Sequence, residues 1–98
     1  MLHLEKDVAI SLSDIVDNTG ANSEGFKLFS LLIKHENERV ILSLDKNMGF
    51  STSFLNSSIG QYIDRFGYEN YKRKIAYKCT KKQYDIISSY INKFTQLV

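Results

Sequence analysis

Proline is absent from this chain of 98 residues, and Cys79 is its single cysteine. One cysteine excludes a disulfide within the chain and a cysteine-rich metal site, and it suits a reducing compartment. The lack of proline argues against long linkers and stiff recognition segments. No apolar run approaches the roughly 20 residues that span a bilayer. Leu2 and Leu4 alternate with polar residues, unlike a signal peptide, so we expect a cytoplasmic protein with no membrane partner.

Motifs for catalysis and cofactor binding are also missing. Neither GxGxxG nor GxxxxGK[ST] occurs, so Gly20 and Gly25 do not form a loop that cradles phosphate. His3 and His35 have no partner at metal-ligand spacing, which indicates surface residues and no metal site. No general base adjoins the hydroxyl residues, and nothing selects a pair of carboxylates for acid–base chemistry. We therefore expect no cofactor, no catalytic residue and a non-enzymatic role.

The composition is that of one globular domain over residues 1–98. Hydrophobic residues make up 43% and charged residues 24%, which is ordinary for a folded domain and argues against disorder. The chain is long enough for one core and too short for two. Its net charge of +2 is too small to indicate a dedicated nucleic-acid-binding protein.

Apolar periodicity predicts two strands near the start of the chain. The first is centred on Val8–Leu12, where apolar residues alternate with others. A shorter strand at Leu2–Glu5 would form a hairpin with it through a turn at Lys6 and Asp7.

The rest of the chain alternates between helical and strand patterns. The first predicted helix has Ser23 as N-cap and ends near Glu36, and a buried central strand follows at Arg39–Leu44. A central helix is predicted at Thr52–Phe66, ended by Gly67, and a basic strand near a sheet edge at Lys74–Lys78. The last predicted helix starts with a capping box of Thr80 and Gln83. Such alternation predicts an α/β domain with right-handed crossovers. We expect a mixed sheet of about four strands, with about three helices packed mainly on one face.

The strand-to-helix junction is the strongest candidate site. A loop with Asp45 and Gly49 leads to three consecutive hydroxyl residues at a helix start, Ser51, Thr52 and Ser53. These hydroxyls fit two interpretations, helix N-caps or a site of phosphorylation and partner contact, because the positive end of a helix dipole tolerates negative charge. The turn at Asn22–Gly25, with Ser23 and Gly25, would support the same surface.

Basic residues form a second candidate, interleaved with Tyr68, Tyr71 and Tyr77. The basic residues are Lys72, Arg73, Lys74, Lys78, Lys81 and Lys82. This pattern is typical of a solvated strand edge, but basic and stacking side chains are also what single-stranded nucleic acid recruits. A third interpretation is a surface that steers an acidic protein partner.

The junction also resembles a known family. Val40–Leu55 resembles the central strand, loop and helix of STAS domains, which include bacterial anti-sigma-factor antagonists, and the Asp-Ser-Ser-Gly-Leu motif of that family aligns with Ser51–Leu55. The STAS-like family of unknown function is closer: Asn22–Gly25 resembles its Ser-Arg-Glu-Gly element, and Ser53-Phe54 with Gly60 resembles its Ser-Phe signature. The resemblance extends from about Val8 to Phe94.

This resemblance implies a STAS-like fold and a bacterial regulatory domain with a protein partner, such as a histidine-kinase-type ATPase or another signalling protein. It places the phosphate acceptor at Thr52 or Ser53, although Ser51 and Asn56–Ser58 stand where the families carry acidic residues. The alternative is a small, phage-encoded protein that binds nucleic acid, or inhibits a nucleic-acid enzyme, through Lys72–Lys82. A homodimer through the Lys74–Lys78 edge or the first strand is compatible with both.

Overall fold

The structure, a computed structural model, describes residues 6–96 as a three-stranded sheet with helices. In chain order the elements are β1 (Lys6–Ser11), a 3-10 turn (Leu12–Asp14), α1 (Asn22–Lys34), β2 (Glu38–Ser43), α2 (Thr52–Leu55), a π-helical turn (Asn56–Gly60), α3 (Gln61–Phe66), α4 (Tyr68–Lys74), β3 (Ile75–Lys78) and α5 (Lys81–Gln96). α2, the π-helical turn and α3 follow one another without a break, as one helix. The α/β class is as predicted.

The sheet has the order β1-β2-β3 and both pairings are parallel. Val40 of β2 lies between Val8 and Ile75, so the predicted central strand is central. The expected mixed sheet of about four strands is wrong for the described residues, because each connection contains a helix and returns the chain in the same direction. Lys6 and Asp7 belong to β1 and make no hairpin turn, and the strand expected at Leu2–Glu5 lies outside the described residues.

Burial is concentrated on one face of the sheet. Val40 and Leu42 are buried, whereas Ile41 and Ser43, which point to the opposite face, are only half-buried and Arg39 is exposed. Alternate residues of a strand point to opposite faces, so the helices cover the Val40 face more completely.

The helix that begins at Thr52 supplies the middle of the core, as predicted. Phe54 is only 1% exposed and Ile59, Tyr62 and Ile63 are buried with it. The π-helical turn was not predicted. Its physical basis is local, because the Ser58 hydroxyl donates to the Phe54 carbonyl at 2.7 Å and so competes for a helical acceptor.

Helix α4 is the second unpredicted element, and it corrects the predicted strand Lys74–Lys78. Gly67 has φ of +91°, which ends α3 as predicted and lets the chain turn into α4. Lys74 closes α4 and is completely buried, donating to the carbonyls of His35 and, at 2.7 Å, of Glu38. Burial lowers the pKa of this amine. Lys74 therefore holds the end of α1 against β2 and does not belong to a basic surface.

The start of α1 also differs from the prediction. Its N-cap is Ala21, and Ser23 lies exposed in the first turn of the helix, where it caps nothing. The side chain of Asn18 instead holds the turn that precedes the helix. Its Oδ1 accepts from the backbone N–H groups of Gly20 and Ala21, both at 3.0 Å.

Candidate functional site

Ser51 is the helix cap, so the three hydroxyls have different roles. Its Oγ accepts from the Phe54 N–H at 3.0 Å and donates to the Gly20 carbonyl at 2.8 Å. The N-cap interpretation is therefore confirmed for Ser51. Thr52 and Ser53 are exposed, and neither hydroxyl has a hydrogen-bond partner among residues 6–96. These two side chains are the ones available to a partner or a modifying enzyme.

The loop from Asp45 to Gly49 is held in place by Gln83 of α5. The predicted capping box is present, since Thr80 N–H donates to Gln83 Oε1 and Gln83 N–H donates to Thr80 Oγ1. The hydrogen bonds of the Gln83 amide nitrogen were not predicted. Its Nε2 donates to the carbonyls of Asp45 at 2.6 Å and of Met48 at 3.0 Å. Gln83 is buried, so this amide fixes the loop to the start of α5.

A second loop packs against the first and supports the α2 tip. The Thr19 hydroxyl donates to the Gly49 carbonyl, and the Ser51 N–H donates to the Thr19 carbonyl at 3.0 Å. Asp45 and Gly49 are exposed. Side chains and backbone from two other segments therefore hold the loop that contains Asp45 and Gly49.

Gly25 allows two helical segments to pack closely and does not belong to a mobile turn. It is buried in α1 opposite the π-helical turn, where an added Cβ would lie 1.8 Å from Ser57 Oγ and 2.5 Å from the Phe54 carbonyl oxygen. Ser57 Oγ in turn donates to the Asn22 carbonyl at 2.7 Å. The segment Asn22–Gly25 is thus the first turn of a helix that lies directly against the candidate site.

Glu24 ties the loop before α1 to that helix. Its carboxylate accepts from the Asp17 N–H at 2.6 Å and pairs with the Lys27 amine at 2.8 Å. The hydrogen bond from Lys27, followed by that from Asp17, lowers the pKa of Glu24. Since this loop also carries Thr19 and Gly20, the carboxylate supports the α2 tip indirectly.

We expect Glu24→Gln to flatten the acid dependence of stability. The ionised carboxylate stabilises the fold fully above pH 4.5, the ordinary glutamate pKa, and this contribution disappears as the pH falls through the lower pKa of the folded protein. Urea unfolding of wild type and variant at neutral pH and at about pH 3 measures the difference. Glu36→Gln, at an exposed turn residue, is the matched control. Equal pH dependence in wild type and Glu24→Gln would contradict this assignment.

A groove between the start of α2 and α5 brings parts of both predicted surfaces together. It has a volume of 860 Å³ and we call it the α2–α5 groove. Thr52 lines it, together with three amines from α5, those of Lys81, Lys82 and Lys93. Its apolar lining is formed by Phe50, Leu55, Ile86 and Phe94.

Polar contacts shape one wall of the α2–α5 groove. The Tyr90 hydroxyl donates to Asn56 Oδ1 at 2.5 Å, which joins α5 to the π-helical turn. Burial raises the pKa of Tyr90, so it remains a protonated donor at neutral pH. Asp85 is the single acid among the lining residues, and it pairs with Lys81 at 3.3 Å. The groove therefore carries an excess of positive charge.

The basic run predicted from sequence is divided by the fold. Lys81 and Lys82 line the α2–α5 groove, whereas Lys72 lines a separate cavity and Lys74 is buried. Arg73 and Lys78 are exposed on α4 and β3. Lys93 was not among the residues predicted from sequence, although it lies on α5 with Lys81 and Lys82 and lines the same groove.

Three further features of the described residues bear on function: metal binding, the reactivity of the thiol and the capacity of a helix to span a membrane. Among residues 6–96, no group of three or more His, Cys, Asp and Glu side chains is arranged to hold a metal ion. Cys79 is half-buried, and burial raises the pKa of its thiol, which disfavours the reactive thiolate. Within the same residues, none of the helices has the length and apolar character needed to cross a membrane.

Together, the fold and the groove define a small parallel α/β domain with a basic and apolar groove beside the strand-to-helix junction. The family model described as a STAS-like domain of unknown function matches residues 24–85. The chain belongs to this family, as its motifs indicated. No curated protein and no solved structure matches the chain significantly.

Proposed function

We propose that this is a cytoplasmic, non-enzymatic regulatory domain that binds an acidic segment of a protein partner in the α2–α5 groove. The observation that carries the proposal is the composition of that groove: three lysines line it together with apolar side chains and with Thr52, whose hydroxyl has no hydrogen-bond partner within residues 6–96. Burial of the apolar lining would contribute to the affinity for a partner, and the lysine amines would favour a partner with negative charge.

The charge balance supports an acidic partner. Lys81 is paired with Asp85, but Lys82 and Lys93 have no acidic partner within residues 6–96. Ile86, one helical turn from Lys82, is an exposed apolar side chain in the same groove. An amphipathic helix that carries carboxylates beside its apolar face complements this arrangement. A histidine-kinase-type ATPase or another signalling protein is the kind of partner that STAS-like resemblance suggests.

Thr52 is the proposed switch residue in preference to Ser53. Both hydroxyls are exposed, but only Thr52 lines the groove. A phosphate on Thr52 would bring close to two negative charges to the lysine amines and would compete with the carboxylates of the partner. Phosphorylation would therefore release the partner.

The first step of the test identifies the partner. A photo-crosslinking amino acid at position 52 should capture one protein in cells of the source organism, and the same group at exposed Glu36 should not. That protein, purified, is then titrated by calorimetry. Turnover of nucleotides, esters or phosphoesters by the domain, abolished by Ser53→Ala, would contradict the non-enzymatic role.

Charge reversal then tests the groove itself. Lys82→Glu combined with Lys93→Glu should weaken partner binding more than tenfold, because both unpaired amines are replaced by repelling carboxylates. Lys34→Glu combined with Arg65→Glu makes the same charge change at exposed residues outside the groove and should leave most of the affinity. Equal losses in the two double variants would contradict docking in this groove.

Thr52→Glu should also weaken the partner more than tenfold while leaving the free energy of unfolding within about 1 kcal/mol of wild type, since the residue is exposed and Ser51 supplies the cap. Full affinity in a folded Thr52→Glu variant would contradict the switch.

A further inference from the structure

A second cavity lies between α4, β3 and α5, away from the α2–α5 groove. It has a volume of 380 Å³, and four of the six tyrosines of the chain line it, so we call it the tyrosine cavity. Tyr71 and Tyr77 form its inner part and share a hydrogen bond of 2.7 Å between their hydroxyls. Tyr68 and Tyr84 are 41% and 55% exposed. The Tyr68 ring already stacks on that of Tyr71 at 6.2 Å, centre to centre, so Tyr84 has the more accessible ring.

The tyrosine cavity is also positively charged. Arg39 and Lys72 line it, and its lining residues include no carboxylate. Lys72 Nζ lies 5.4 Å from the centre of the Tyr68 ring, which places a cation beside an aromatic face. Glu69 approaches Lys72 to 4.0 Å, but both side chains are largely exposed, so this pair holds the amine only weakly.

We infer that the tyrosine cavity binds a nucleotide unit, that is, a planar base joined to a phosphate. Tyr84 offers an exposed ring for stacking, which every base can use, while Arg39 and Lys72 offer the charge that a phosphate requires. Ser88 and Asn92, also in the lining, supply donors and acceptors for the edge of a base. A free mononucleotide and one unit of single-stranded nucleic acid share this chemistry.

This site shares no residue with the proposed docking groove. The two use different faces of α5, since Lys81, Lys82, Ile86 and Lys93 line the groove and Tyr84, Ser88 and Asn92 line the tyrosine cavity. It also differs from the basic run in the sequence. Of the six basic residues in that run only Lys72 lines the cavity, and Arg39 comes from β2.

Three probes test the inference on the full chain by calorimetry: adenosine monophosphate, ribose 5-phosphate and a single-stranded deoxyadenosine decamer. Adenosine monophosphate should bind, and ribose 5-phosphate, which lacks a base to stack, at least tenfold more weakly. Comparable affinity for the mononucleotide and the decamer indicates a site for free nucleotides. Measurable affinity for the decamer alone indicates a site for single strands, and its affinity should then fall as salt rises.

Variants assign that binding to the cavity. Arg39→Glu with Lys72→Glu should lower affinity more than tenfold, and Tyr84→Ala should lower it about tenfold, whereas Tyr84→Phe, which keeps the ring, should retain most of it. All these residues are exposed, so circular dichroism should show a folded protein. Lys34→Glu with Arg65→Glu is the charge-matched control.

The inference is overturned if neither nucleotide probe binds. It is also overturned if ribose 5-phosphate binds as tightly as the mononucleotide, or if Arg39→Glu with Lys72→Glu binds as tightly as the matched control. None of these results bears on the proposal that the α2–α5 groove binds a partner, because that groove contains none of the residues changed here.

Discussion

Replacing Gly25 by alanine is expected to lower the free energy of unfolding by about 3 kcal/mol, at the upper end of what overpacking does in a tight core. The new Cβ would lie 1.8 Å from Ser57 Oγ and 2.5 Å from the Phe54 carbonyl oxygen. A hydroxyl can rotate away, but the carbonyl belongs to the backbone of the central helix. Relief therefore requires α1 and that helix to move apart, which would also break the bond from Ser57 to the Asn22 carbonyl.

Gly49→Ala is the matched control for this substitution. Gly49 is exposed, and a Cβ there would meet no atom within 4 Å. We expect its unfolding free energy to stay within about 1 kcal/mol of wild type, since alanine mainly restricts the unfolded chain. Urea denaturation of wild type, Gly25→Ala and Gly49→Ala measures the three free energies of unfolding. A Gly25→Ala protein as stable as Gly49→Ala would show that α1 does not lie so close to the π-helical turn.

Phe54→Ala is expected to cost about 3–5 kcal/mol, the usual range for removing a buried aromatic ring. Phe54 is the largest fully buried side chain among the described residues and is 1% exposed. Its ring lies 6.1 Å from that of Phe50, centre to centre, next to the candidate site. The cavity left by the ring would be lined by other core side chains and by α1, which packs against α2, so the structure can close over it only in part.

The control for this loss is Phe26→Ala, the same change on α1 at a side chain that is 46% exposed. It should cost about 1 kcal/mol, because the ring already meets water. Thermal or urea unfolding compares the two variants with wild type. Equal costs would contradict the central position of the helix that begins at Thr52.

The elements that could be predicted are those whose signals are local. Alternating apolar residues predicted a strand at Val8–Leu12, and a β-branched run predicted one at Arg39–Leu44. Both are strands in the structure with slightly shifted ends. Ser51 and the Thr80–Gln83 box cap helices because a cap needs only the next three residues of the same chain. The family resemblance was visible for the same reason, since its motifs are short and contiguous.

Errors arose where neighbours distant in sequence override local pattern. The sequence pattern predicts Lys74 to be an exposed cation. In the structure its amine is buried and donates to two carbonyls more than thirty residues earlier in the chain. Ser23 has the chemistry of an N-cap, but the helix begins at Asn22, whose carbonyl accepts a hydrogen bond from the distant Ser57 hydroxyl. The parallel direction of β1 and β3 likewise depends on how the helices cross the sheet, which no local pattern records.

The sequence by itself determined the α/β class, the membership of a STAS-like family and the hydroxyls at the α2 tip, because each depends on residues that are adjacent in the chain. Only the tertiary structure decided that Thr52, Lys82 and Lys93 line one groove, and that Arg39 joins Lys72 and four tyrosines in another cavity. The physical reason is that a binding surface consists of residues from several elements. Their spacing in space follows from packing and not from their order in the chain.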